Sequence, residues 1–249
     1  MKNPRAAKVR KFLVGLLLLP LLVAAVLTLV DLTRFFWHDH AWGQYWFWAL
    51  GAGFAVWTVV YFALPRPMWL YVLGHELTHA LAVYLHAGEV YRFHVGKRGG
   101  HVVTDKSSWI ISLSPYFVPL YTAFLLALWL VAAFYWPPLV HYLTFLYVGI
   151  GITWGFHLTF TVSMIGVGQQ DLKGEGVFFS LVVIILLNLL LIDAGLTGVL
   201  AGWHGYPQIG AALWHHTLAA YVWTGTTLWH GAAWTWTEGI HLIRSLRKS

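Results

Sequence analysis

The sequence predicts an all-α polytopic membrane protein of about six to seven membrane helices, with a short β-hairpin following the third apolar segment. Three observations carry this prediction. Only 10% of the 249 residues are charged, against about 25% in an ordinary soluble domain. Apolar runs long enough to cross a bilayer recur along the chain. Between two of them, β-branched and aromatic residues flank a glycine cluster, which is a hairpin pattern.

The apolar runs fall at 12–30, 45–64, 68–85, 110–136, 139–165, 177–200 and 209–234. The first follows Lys2, Arg5, Lys8, Arg10 and Lys11. It is longer than the apolar region of a signal peptide, and no small-x-small site closes it, so it reads as an uncleaved membrane helix. Pro65-Arg66-Pro67 separates the second run from the third, and Pro137-Pro138 the fourth from the fifth. Polar, glycine-containing joints at 166–176 and 202–207 separate the later runs. In the segment 88–109, strands are expected at 90–95 and 101–104, with Gly96-Lys97-Arg98-Gly99-Gly100 as the loop. No repeat or soluble domain interrupts the pattern, so 1–249 reads as one integral membrane domain.

Charge placement gives an orientation. With both termini and the hairpin in the cytoplasm, every Lys and Arg except Arg34 and Arg66 falls on the inner side. Seven full crossings cannot leave both termini on one side, so one of the first three runs is expected to be re-entrant or to cross incompletely. The net charge of +6 follows this topology and is no nucleic-acid signature. The 16 tryptophans suit a chain with many membrane interfaces. Cysteine is absent, which excludes disulfides and thiolate-held metals. The expected partner on these grounds is the lipid bilayer, without nucleic acid; no oligomeric state is implied.

The third run contains His75-Glu76-Leu77-Thr78-His79, an H-E-x-x-H pattern. Residues four apart share a helix face, so both imidazoles can reach one metal ion while Glu76 attends a water beside it. A surface helix can carry two His and a Glu by coincidence. Inside an apolar segment, however, a charged residue costs about 2.5–3.5 kcal/mol on insertion scales, so its presence argues for function. One Zn2+ per chain is the expected cofactor. Zinc in a hydrolase takes three protein ligands and leaves one position for water, and Glu76 can accept that water's proton and pass it to a leaving amine.

The third ligand has two candidates. Asp171, at the mouth of the sixth run on a glycine-flexed joint, is the first; its plainer reading is a helix cap. His157, within the fifth run, is the second, with a role supporting the ligands or stabilising an oxyanion as its alternative. No third histidine follows His79 at the spacing of the long soluble-protease motif. Val102 and Val103 are candidates for pairing with an extended substrate along the hairpin edge. His86, two turns beyond His79, could support the site. His38 and His40 around Asp39, and the Trp-His pairs, read as solvated or interfacial.

Gly74-His75-Glu76-Leu77-Thr78-His79-Ala80, the glycine-containing hairpin, Ser114-Pro115-Tyr116-Phe117-Val118-Pro119-Leu120 and a distal Asp together resemble the site-2 protease class of intramembrane zinc metalloproteases. The resemblance covers roughly 68–190 and is greatest to small bacterial members. It implies a multi-pass protein of the bacterial cytoplasmic membrane that hydrolyses peptide bonds of membrane-spanning or membrane-associated proteins. It further implies that His75, His79 and Asp171 hold zinc and that Glu76 is the catalytic acid and base. The chain departs from the family's distal motif, because Asp171 is followed by Leu172 rather than Gly and preceded by Gln169-Gln170. It has no PDZ-like insert. Two other classes fit an intramembrane His/Glu cluster: a histidine-box oxidoreductase, with His215-His216 as its thin second box, and an ion transporter lined by His75, Glu76 and His79.

Overall fold

The computed structural model describes residues 4–38, 41–96, 99–167 and 169–246. Among these, helices α1 (Pro4–His38), α2 (Tyr45–Ala63) and α3 (Met68–Leu85) precede a two-stranded antiparallel hairpin, β1 (Val90–Gly96) and β2 (Gly99–Thr104). Helices α4 (Trp109–Phe117), α5 (Leu120–Tyr135), α6 (Leu143–Val167), α7 (Gln170–Glu175), α8 (Val177–Ala201) and α9 (Gly205–Leu246) complete the chain.

Four stretches are long and apolar enough to cross a membrane: 5–38, 45–63, 137–167 and 177–238. The bent pair α4–α5 makes a fifth if counted as one span. The sequence expectation of six to seven therefore exceeds what length and composition support. α3 falls outside the set because His75, Glu76 and His79 lower its hydropathy, and α8 and α9 lie in a single stretch. The helix exteriors carry apolar side chains such as Leu17 (64% exposed), Phe62 (75%) and Phe145 (72%). Apolar surface on this scale is at home in lipid and is a liability in water.

Three local expectations change. The run 110–136 is not one helix: α4 and α5 meet at 73°. Pro119 lacks an N–H and disfavours helical backbone at the residue before it, and Val118 is extended (φ −94°, ψ 108°). The strands reach further into the glycine cluster than expected, because Val95 pairs with Gly100 and Gly96 with Gly99. Glycine is a poor strand former, so propensity placed the boundary too early. Lys97 and Arg98 themselves lie outside the described residues, as do Asp39 and His40. Finally, α1 begins well before the apolar run, which puts Lys8 and Lys11 on the helix.

Packing follows small residues. A Cβ at Gly53 would meet the Val148 carbonyl, and one at Gly151 the Leu50 carbonyl, so α2 and α6 touch backbone to backbone. In lipid, where apolar contact gives no advantage over solvent, such close approach is what holds helices together. Beside this seam Trp57, Tyr61, Phe156 and Phe160 form an aromatic cluster against which Tyr71 of α3 packs. A second cluster, including Leu113, Tyr116, Leu172, Phe179 and Ile184, joins α4, α7 and α8. α1 runs parallel to α8, with Gly15 against Phe179 and Leu32 and Thr197 lining one groove. α9 returns antiparallel, Tyr221 donating to the Leu17 carbonyl at 2.6 Å and His216 meeting Asp31 at 2.7 Å.

Gly151→Ala should weaken the α2–α6 seam by about 1–3 kcal/mol, the usual cost of overpacking. Thermal denaturation in detergent should show a lowered midpoint for this variant and none for Gly210→Ala, where an added Cβ has no neighbour within 4 Å.

Candidate metal centre

His75 and His79 sit one helical turn apart on α3, and their Nε2 atoms face one another at 3.2 Å. Asp171, from the first turn of α7, brings its Oδ2 to 3.4 Å from His75 Nε2 and 3.7 Å from His79 Nε2. A tetrahedral ion with bonds of about 2.0–2.2 Å would separate its ligand atoms by about 3.3–3.6 Å. The three donors thus outline one face of such a tetrahedron. His75, His79 and Asp171 form a candidate metal-binding cluster, the only group of its kind among the described residues.

The outer contacts point the donors inward. His79 Nδ1–H donates to the Ile111 carbonyl at 2.8 Å, which leaves the Nε2 lone pair free for an ion. His75 Nδ1 lies 3.1 Å from the Tyr71 hydroxyl, and the same tautomer follows if the N–H donates to that oxygen. Tyr71 is fixed in turn by stacking on Phe160, with centroids 4.7 Å apart and planes 12° from parallel. The Tyr116 hydroxyl donates to Asp171 Oδ2 at 3.1 Å. Each ligand therefore has a partner rooted in a packed core. Burial alone would raise the Asp171 pKa, but the imidazoles of His75 and His79 beside it outweigh that and hold the carboxyl well below its ordinary range. The group is a carboxylate, the form a metal requires.

Glu76 reaches toward the hairpin and shares one cleft with His75, His79 and Asp171. It is 7% exposed, and a Cβ at Gly100 would lie 2.5 Å from its Cγ. Glycine is needed there because β2 passes directly over the Glu76 side chain. A cleft of about 540 Å³ opens at this point, lined by His75, Glu76, His79 and Asp171 and on the hairpin side by Gly100 and Val102. Val102 thus belongs to the cleft wall. Val103 is 44% exposed on the other face, as strand alternation requires.

His157 lies outside the cluster. Its Nε2 is 3.2 Å from Asn188 Oδ1, and the Asn188 amide donates to the Tyr116 carbonyl at 2.9 Å. It shares a small cavity of about 30 Å³ with His75 and Tyr71. His157 therefore reaches the centre through Asn188 and the backbone of Tyr116, the residue that orients Asp171. His86 is turned from the site: its Nδ1 lies 2.7 Å from the Ala82 carbonyl at the end of α3. His216 pairs with Asp31, so it contributes no second histidine box beside the cluster. Asp193 is buried in α8 at 4% exposure, apart from the three ligands. Tyr71 and Tyr116 were not singled out from sequence as ligand supports. Tyr71 had a legible signal, since it stands one helical turn before His75; Tyr116 had none until α4 and α7 came together.

Asp171→Ala should lower metal occupancy of the purified protein about as far as His75→Ala. His157→Ala and Tyr116→Phe should retain the ion more weakly, within the 10–100-fold range typical of residues that orient ligands. Metal analysis after dialysis against a graded chelator distinguishes the two classes.

No protein-family model, curated protein or solved structure matches this chain, so the centre stands on the geometry of its own residues.

Proposed function

We propose that this chain is an intramembrane zinc metalloprotease that hydrolyses peptide bonds of membrane-spanning or membrane-associated proteins. The observation that carries the reading is the three-donor face formed by His75, His79 and Asp171, with Glu76 beside it beneath a β-strand. Two imidazoles and one carboxylate in a tetrahedral outline suit zinc, whose hydrolytic sites commonly take this donor set and keep one position open. Zinc bound there would supply Lewis acidity toward a substrate carbonyl and lower the pKa of a nearby water.

The chain's own groups account for the remaining requirements. Glu76 is the one carboxylate in the cleft that faces no imidazole as a ligand, so it is available to take a proton from water and return it to the departing amine. Its burial under Gly100 keeps bulk water from competing for the carboxylate. The substrate must present an extended backbone, because a helical segment keeps its carbonyls in internal hydrogen bonds. β2 has β1 on one side only, and its inner face lines the cleft, so an extended segment could pair along it with Val102 contacting alternate side chains. The approach from the bilayer is consistent with the apolar helices that surround the site.

Glu76→Gln should abolish cleavage of a membrane-embedded substrate while zinc content stays near one ion per chain. Loss of zinc as complete as in His79→Ala would show that Glu76 is a ligand instead. Iron rather than zinc in the purified wild type would favour the oxidoreductase class, and ion flux that survives chelation the transporter class.

Gly100→Val should press on the Glu76 side chain and slow turnover about a hundredfold, the scale on which a misplacement of about 1 Å acts. Val102→Pro should slow it by removing a backbone donor from β2. Both variants should keep their zinc, which assays of turnover and metal content in the same preparation will check.

A further inference from the structure

Asp171 stands on a helix of six residues. A helix this short has no stability of its own in water or lipid, so tertiary ties must set the position of its side chains. At its start the tie is the Tyr116 hydroxyl, and along its length Leu172 is 2% exposed and its carbonyl accepts from Ser180 Oγ at 3.2 Å. At its end stands Glu175, one turn after Asp171 and 8% exposed. Glu175 Oε2 forms an ion pair with Lys11 Nζ of α1, and Oε1 accepts from Ser112 Oγ of α4 at 3.2 Å. Ser112 directly follows Ile111, whose carbonyl holds His79. One carboxylate therefore joins α1, α4 and α7 beside the supports of two of the three ligands.

We infer that Glu175, anchored by Lys11 and Ser112, is a positioning residue that fixes α7 and thereby holds Asp171 within reach of His75 and His79. The metal arm of this inference rests on the zinc reading above; its structural arm does not. Removing the charge at either end leaves the other buried or half-buried without its counter-charge, so the end of α7 loses its main anchor. The effect passes along one turn of helix to Asp171. The Lys11 tie also makes the basic start of α1 part of the metal site, although it is remote in sequence.

The full-length chain in detergent, as wild type, Glu175→Gln, Lys11→Met and Lys11→Arg, tests this. Two quantities are read: amide hydrogen exchange of 170–175 against that of α3, and zinc affinity by chelator competition. Glu175→Gln and Lys11→Met should speed exchange in 170–175 while α3 is unchanged, and weaken zinc on the order of tenfold, the lower end for residues that support ligands. Lys11→Arg, which keeps the charge, should behave as wild type in both. Unchanged exchange in 170–175, or an equal rise in every helix, would overturn the inference, the second outcome marking general destabilisation. If wild type binds no zinc but exchange in 170–175 responds as described, the positioning role stands and the metalloprotease reading falls.

Discussion

The structure is organised around one demand: two imidazoles and a carboxylate must be brought within 3.2–3.7 Å of each other in apolar surroundings. Such a cluster is costly to assemble, because each polar group gives up water and a carboxylate gives up most. The hydrogen bond that Asp171 accepts from the Tyr116 hydroxyl offsets part of that cost, and a bound cation would offset more. The rest is met by rigid supports. Tyr71 leans on the aromatic cluster between α2 and α6, and Tyr116 is buried in the cluster between α4, α7 and α8. The two cores thus act as abutments for two different ligands.

That arrangement explains features that look unrelated at first. The glycine seam between α2 and α6 brings those helices close enough for Trp57, Phe156 and Phe160 to pack together, and Phe160 in turn gives Tyr71 its stacking partner. The break at Val118–Pro119 turns α5 away from α4, so that α4 carries Ile111 to His79 and Tyr116 to Asp171 while α5 packs against α3 and α6. A straight helix through 110–135 would carry Tyr121 and Thr122 of α5 away from the Leu70 carbonyl and Thr153, which they now meet at 2.6 and 2.9 Å. The hairpin arches from the end of α3 back over Glu76, and its strand can come so near only because Gly100 has no side chain. Glu76 is therefore screened from solvent while the cleft beside it stays open.

The proposed peptidase chemistry divides the labour between elements of different rigidity. The ligands and Glu76 lie on helices braced by packed cores, which suits groups that must keep their geometry through turnover. The strand that would receive a substrate belongs to a two-stranded ribbon, a structure that has little stability alone and could adjust to an incoming chain. The backbone pairing offered by a strand edge is indifferent to side chains, so the selection of substrates would fall to the side chains of the cleft wall and to whether a segment can leave its helical state.

Much of this was legible in the sequence where the physics is local. Period and hydropathy gave the helical membrane architecture. The i, i+4 spacing put His75 and His79 on one face whatever surrounds them, and β-branched residues around glycine gave the hairpin. Asp171 could be put first because charged residues are scarce, yet His157 remained as a second candidate, since nothing in one sequence says which of two distant residues meets α3. The tertiary structure decided that by docking α7 on Tyr116 and by committing His157 to Asn188. It also decided the bend at Pro119, the glycine pairing at the hairpin tip and the tie from Lys11 to Glu175, 164 residues apart. These depend on contacts between segments remote in the chain, whose energies appear only once the helices have packed.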